Sequence, residues 1–81
     1  MNEKNIHLKA LSRTKILILG GSHRDIPLIQ ASQALGYYVI TLGAIKTYLG
    51  HNYSDKKFLV DFNDLDAVKQ IIKNEQVDYI L

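Results

Sequence analysis

Four consecutive apolar residues, Ile16-Leu17-Ile18-Leu19, run directly into Gly20 and Gly21. An unbroken run of this kind marks a strand that is covered on both faces, the situation parallel sheets provide. The polar group Ser22-His23-Arg24-Asp25 comes next. Pro27 then suits the first turn of a helix, where its missing N–H has no helical partner to lose. Lys15 to Pro27 therefore reads as a buried central strand, a tight turn and a helix start. Gly20 and Gly21 permit backbone angles that a Cβ forbids, and they let a ligand approach the main chain closely. The N–H groups of such a turn, backed by the positive end of the helix dipole, form a concave seat for an anion. Turns rich in glycine also arise simply because the chain must reverse in little space. A ligand site and a plain packing turn both stand at this point.

The alternation of element types continues along the chain. Residues Ile26 to Leu35 carry Leu28, Ala31 and Leu35 at helical spacing, with Gln30 and Gln33 off that stripe, and Gly36 is placed to end the helix. Tyr37 to Leu42, YYVITL, is rich in β-branched and aromatic residues and predicts a second buried strand. Strand, helix and strand within about thirty residues make a βαβ unit with a parallel crossover. Gly43 to Lys57 is broken by Gly50, Asn52, Ser54 and Asp55, which predicts a loop with at most one turn of helix. Phe58 to Phe62, FLVDF, predicts a short third strand. Asn63 or Asp64 then caps a helix over Leu65 to Glu75, with Asp64 and Asp66 near its start, where negative charge suits the dipole. Leu65, Val68, Ile71 and Ile72 give that helix an apolar face, and Lys69 and Lys73 a wet one. Val77 to Leu81, VDYIL, predicts a fourth buried strand. A strand this apolar, with nothing after it to cover it, is expected in a sheet that continues, so the chain is expected to be part of a longer protein.

The 81 residues are 47% hydrophobic, enough for one small core, although a domain of this size buries only about 60% of its unfolded surface. Ten basic and eight acidic residues give a net charge of +2 and form no basic block interleaved with aromatics. That pattern argues against nucleic acid, and against an anionic membrane surface, as the main partner. Cysteine is absent, which excludes disulfide frameworks and thiolate metal sites. Met1 to Thr14 is a polar leader in which Ile6, Leu8, Ala10 and Leu11 would allow a short amphipathic turn. A flexible terminus, or a segment docking elsewhere on a larger protein, is expected there. The leader lacks the continuous apolar core of a signal peptide, and no stretch approaches the roughly 20 apolar residues of a membrane span. These features predict a soluble cytoplasmic protein whose folded domain runs from Lys15 to Leu81.

Several chemistries can be weighed on residue identity. The turn GGSHRD does not carry the dinucleotide fingerprint G-x-G-x-x-G, because Ser22 and Asp25 stand where the second and third glycines belong when counting starts at Gly20. The second strand ends Thr41-Leu42-Gly43, where a nicotinamide binder carries an acid for the ribose hydroxyls, so tight NAD binding is not expected. The G-x-x-x-x-G-K-[ST] phosphate loop is absent as well. Asp61 reads as a carboxylate on the approach to a helix, since Gly20 and Gly21 stand where a receiver-like domain would carry acids after its first strand. His23 is a candidate for binding an anion, or for polarising a carbonyl near neutral pH. The alternative is a solvated loop histidine bonded to nearby backbone. His51 and Asp55, four residues apart, could share a face, but two such ligands make no metal site, and no structural metal is expected.

The runs KILILGGSHRDIPLIQASQALGYYVITL and GHNYSDKKFLVDFNDLDAVKQIIKNEQVDYIL closely resemble the N-terminal domain of ATP-grasp carboxylate-amine ligases. They look nearest to carbamoyl-phosphate synthase large-subunit-like proteins and to the N-terminal domains of biotin carboxylase and purine-pathway ligases. The likeness covers Lys15 to Leu81. It rests on the glycine turn, Pro27-Leu28-Ile29, the Leu35-Gly36-Tyr37 corner, Gly50-His51 with Ser54-Asp55, and Asp61-Phe62-Asn63-Asp64 before a helix.

The resemblance implies a pre-ATP-grasp domain, a Rossmann-like three-layer α/β fold with a parallel sheet of order 3-2-1-4. It also implies that the turn after the first strand holds the carboxylate or phosphate-bearing acceptor. Carried over, the acceptor-side residues are Gly20, Gly21, Ser22 and His23, then Arg24 and Asp25, with Gly43 and His51 as further members. ATP and magnesium belong to later lobes of the full-length parent, where an acyl phosphate forms and an amine or another nucleophile attacks it. Those lobes supply the electrostatic clamp on the transferring phosphate. The resemblance therefore implies a chain that is not catalytic alone, needs no cofactor of its own and has the downstream lobes as partners. Two departures bear on the acceptor: many relatives have a third glycine at Ser22, and an acid with prolines where this chain reads GAIKTYLGH. A stand-alone binding module for a small anion or nucleotide is the alternative from another class. A structural domain that pairs with a second copy through its open strand edge is a third. Under the first of these readings, Gly21→Val is expected to weaken acceptor binding more than folding.

Overall fold

The computed structural model describes residues 13–81, and the expectations for the leader fall almost wholly outside them. β1 (Lys15–Leu19) pairs in parallel with β2 (Tyr38–Leu42), in register from Lys15 opposite Tyr38 to Leu19 opposite Leu42. β3 (Lys56–Phe58) lies outside β2, with Lys56 opposite Ile40 and Phe58 opposite Leu42. β4 (Tyr79–Ile80) lies on the other side of β1, with Tyr79 opposite Ile16. The result is a four-stranded, all-parallel sheet of order β3-β2-β1-β4, as the resemblance implied.

Successive side chains on a strand point to opposite faces, and that alternation builds two cores. On one face Ile16, Ile18 and Val39 pack with Ile29 from α1 (Ile26–Ala34). On the other, Leu17, Ile40 and Leu42 pack with Val68, Ile71 and Ile72 from α2 (Leu65–Glu75). The fold is therefore a three-layer α/β sandwich whose central strands are covered on both sides. Fully burying one such aliphatic side chain contributes about 1.5–3 kcal/mol, and Leu17, Ile29, Val39, Ile40 and Leu42 have no exposed surface at all.

Three sequence expectations need correction. The fourth strand is Tyr79–Ile80 and not Val77 to Leu81, and it is not buried: it lies at the edge of the sheet, with Tyr79 62% and Ile80 50% exposed. The buried face of α1 is Ile29 and Ser32, whereas Leu28 is 42% and Leu35 74% exposed. Ile26, Leu28, Ile29, Ala31 and Ala34 spread apolar residues around the helix, so periodicity does not choose the stripe, and the packing of Ile29 against Ile16, Ile18 and Val39 chooses it instead. The third strand is Lys56–Phe58 and not Phe58 to Phe62. Its ladder is fixed by β2, and the Gly43 N–H donates to the Phe58 carbonyl at the last rung, so Leu59 onward runs past the end of its partner. Lysines at an edge strand are common, because charge there discourages pairing with another chain.

The helix ends follow local rules. Gly36, at φ +90°, closes α1: the Gly36 N–H donates to Gln33 and the Tyr37 N–H to Ser32, the paired bonds of a Schellman motif. Asp64 caps α2 by accepting the Ala67 N–H at 3.3 Å. Gln76 ends α2 in the left-handed region at φ 55°, where glycine is the usual choice. Asp61 accepts the Asn63 N–H at 2.9 Å on the approach to this helix, the role read from its position. Asp55 ties the long loop to β2, its carboxylate accepting the Val39 N–H at 2.8 Å and its own N–H donating to the Val39 carbonyl. Among the described residues no helix is long and apolar enough to cross a membrane.

Candidate anion-binding site

The carboxyl ends of β1 and β2 meet at a corner built from Gly20, Gly21, Ser22, Gly43 and the 3-10 turn Leu49–Asn52. The Gly20 N–H continues the ladder by donating to the Leu42 carbonyl at 2.7 Å. Gly43 lies so close to the Gly20 carbonyl that a Cβ would collide with it, and Gly50 lies in the same way against the carbonyls of Gly21 and Ser22. Absence of side chains at these two positions lets three backbone segments converge within contact distance.

The chain reaches α1 through a 3-10 turn, His23–Asp25, and Asp25 folds its carboxylate back over the glycines. One oxygen, Asp25 Oδ2, accepts the Gly21 N–H at 3.0 Å and the Ser22 N–H at 3.1 Å. The seat of free N–H groups expected over Gly20 to His23 is corrected accordingly: the Gly20 N–H belongs to the β ladder, and those of Gly21 and Ser22 hold an anion that belongs to the chain itself. A carboxylate accepting N–H groups at the start of a helix is favoured both by hydrogen bonding and by the dipole. The spacing Ser22-x-x-Asp25 before an apolar run is a capping-box signal, and it is the sequence feature from which this contact could have been read.

His51 forms the inner wall. It is only 3% exposed, and its ring lies against Gly21, so that a Cβ there would sit 2.6 Å from both ring nitrogens. A chain of bonds fixes its tautomer. The Ser54 hydroxyl donates to the His51 carbonyl at 3.0 Å, which leaves Ser54 Oγ to accept from Thr41 Oγ1 at 2.9 Å. The single Thr41 proton is then committed, so Thr41 Oγ1 accepts from His51 Nδ1, 2.8 Å away. Nε2 consequently presents a lone pair, and it is buried without a hydrogen-bond partner among the described residues. Burial, with a further contribution from the positive charge of Lys57, holds the imidazole below the usual histidine pKa of 6.5, and Asp25 opposes the shift. The ring is a neutral acceptor at physiological pH.

The structure thus brings Gly20, Gly21, Ser22, Asp25, Gly43 and His51 into one corner. His23 and Arg24 belong to the same turn but are exposed. His51 and Asp55 do not share a face: one bonds Thr41 within the corner and the other bonds the Val39 backbone. Sequence reading gave His23 more weight than His51. The better signal was the Gly50-His51 pair, because a glycine beside a histidine in a loop permits the close approach that buries the ring.

A parallel α/β domain with a glycine turn after its first strand, at the strand where the order of the sheet reverses, is a Rossmann-like architecture. No protein-family model and no curated protein matches the sequence. Solved structures do match. The chain is similar to glycinamide-RNase-transformylase T from Mycobacterium tuberculosis, with a TM-score of 0.75 and 24% identity over 82% of this chain and 19% of that one. It is also similar to N5-carboxyaminoimidazole ribonucleotide synthetase from Thermotoga maritima, with a TM-score of 0.67 and 23% identity over 75% of this chain and 17% of that one. Both are ATP-grasp enzymes, the family whose N-terminal domain the sequence resembles. At these identities the likeness is one of fold, and the chain spans less than a fifth of the length of either protein.

Proposed function

We propose that this chain is the N-terminal, acceptor-binding domain of an ATP-dependent carboxylate-amine or related ligase of the ATP-grasp superfamily, and that the corner after β1 takes the anionic group of the acceptor. The observation that carries this reading is the pair of convergent N–H groups on Gly21 and Ser22, which already hold a carboxylate oxygen with good geometry. Their position supports it, because ligands of open parallel sheets bind outside the carboxyl ends of the strands where strand order reverses. A phosphate-bearing acceptor is in keeping with one neighbour, whose name gives a ribonucleotide as what it synthesises. A carbamoyl-phosphate synthase-like parent and a cytoplasmic setting remain part of the proposal. ATP and magnesium belong, on this reading, to downstream lobes, so the chain alone has the acceptor's binding energy to offer and no clamp for a transferring phosphate.

Titrating the labelled chain with ribose 5-phosphate, followed by amide NMR, tests the proposal. Shifts should centre on Gly20 to His23 and on His51, with α2 unaffected. A ligand that binds elsewhere, or leaves the corner unmoved at saturating concentration, refutes it. Mixed with ATP, magnesium and the same ligand, the chain should release no ADP, and steady turnover would overturn the assignment of catalysis to other lobes.

A further inference from the structure

The two amides that suit an incoming anion are occupied by a side chain three and four residues away, through a single oxygen. That oxygen also lies over Gly20, where a Cβ would sit 3.3 Å from it. Asp25 itself is only half-buried, so its side chain borders solvent. Two anions cannot share the same pair of N–H donors, because like charges at hydrogen-bond separation repel strongly. Any carboxylate or phosphate that uses this corner must therefore replace Asp25.

A second observation shows that the corner is incomplete with Asp25 in place. His51 Nε2 is buried beside Gly21 with no partner among the described residues, and a buried acceptor left unpaired is costly enough to be uncommon in folded proteins. Asp25 is an acceptor and cannot satisfy a lone pair. An occupant that carries a donor next to its anionic oxygen, as a hydrogen phosphate does, meets both halves of the corner.

We propose that Asp25 is a built-in occupant of the anion seat, an autoinhibitory contact that an oxyanion ligand displaces when it takes the Gly21 and Ser22 N–H groups. This inference rests on the acceptor-site reading above. Asp25 then sets the affinity threshold of the site: weak anions fail to displace it, and a ligand with additional contacts succeeds.

The test uses the whole chain, inorganic phosphate as probe at constant ionic strength, and amide NMR of Gly21 and Ser22 as readout. Asp25→Ala should bind phosphate about tenfold or more tightly than the unmodified chain, the factor expected when a competing charge-assisted contact is removed. Asp25→Asn keeps an oxygen near the two N–H groups without the charge and should fall between. Phosphate binding at the turn with equal affinity in all three proteins would overturn the occupant role and leave the seat standing. Absence of binding in all three would remove both. If Asp25→Ala does not fold, a folded Asp25→Asn that binds more tightly supports the proposal, and one that does not refutes it. Loss of the fold in both variants would make Asp25 a structural cap and end the proposal.

Discussion

Gly21→Ala separates backbone strain from steric conflict at the centre of the corner. Gly21 has φ +81° and its would-be Cβ falls on the His51 ring. The left-handed conformation alone costs a residue with a side chain about 1–2 kcal/mol. The ring must also move, and the bond from His51 Nδ1 to Thr41, 2.8 Å long and fully buried, is the first casualty, adding about 0.5–1.5 kcal/mol. The sum is about 2.5 kcal/mol, against a total of roughly 4–12 kcal/mol for a domain of this length. At about 4–8 °C per kcal/mol for a domain of this size, thermal unfolding followed by circular dichroism should shift down by roughly 10–20 °C. Gly36→Ala is the matched control, since Gly36 has φ +90° and a Cβ there meets nothing within 4 Å. It should lose only the backbone component, about 1–2 kcal/mol. Equal losses for the two variants would refute the steric argument and with it the placement of His51 against the turn. The geometry also reverses the expectation for Gly21→Val: a larger side chain at this position meets a buried ring before it meets any ligand, so folding suffers first.

Two further outcomes follow from the same coordinates. His51 is held below its unfolded pKa of 6.5 in the folded state, so the unfolded chain takes up its proton more readily; the stability associated with the neutral ring is complete above about pH 6.5 and is lost as pH falls through the folded value. Urea unfolding midpoints between about pH 8 and about pH 5 should decline on acidification more steeply for the unmodified chain than for His51→Gln, and parallel curves would show that the buried ring does not govern the acid limb. Gln76→Gly should raise stability by about 0.5–1 kcal/mol, because the left-handed strain that a side chain suffers exceeds the entropy glycine loses on folding. A melting temperature that falls or stays put would show that Gln76 makes a compensating contact.

Elements whose identity depends on their own residues were legible. The runs ILIL and YVITL are covered on both faces and read as such, and Leu65 to Glu75 separates its apolar and wet faces and keeps its predicted bounds. Elements decided by a neighbour were not. β3 is placed by the reach of β2, and a strand of two lysines and a phenylalanine offers less β signal than the FLVDF that follows it. The face of α1 was misassigned for the same reason, since Leu28 and Leu35 are as apolar as Ile29 and only the sheet beneath distinguishes them. At the corner, Gly20, Gly21 and Ser22 were found from their spacing, while the reason for Gly43 and Gly50 lies in close contacts between segments 20–30 residues apart, which no local pattern records.

Glycine in this turn has two explanations, ligand approach and internal packing, and the structure supplies evidence for both at once. Gly21 is required by the His51 ring, and Gly43 and Gly50 by the carbonyls of Gly20, Gly21 and Ser22, so their presence would be explained even if nothing ever bound there. What packing does not explain is the mismatch of hydrogen-bond character: two donors are satisfied by a half-buried carboxylate, and beside them a fixed acceptor is left without a donor among the described residues. A corner selected for packing alone gains by filling that position with an apolar side chain, because replacing an unpaired polar atom with a nonpolar one of the same shape removes the desolvation cost. On the proposed reading, a histidine whose other nitrogen is anchored through Thr41 and Ser54, so that the lone pair is fixed in orientation, receives its missing donor from the ligand.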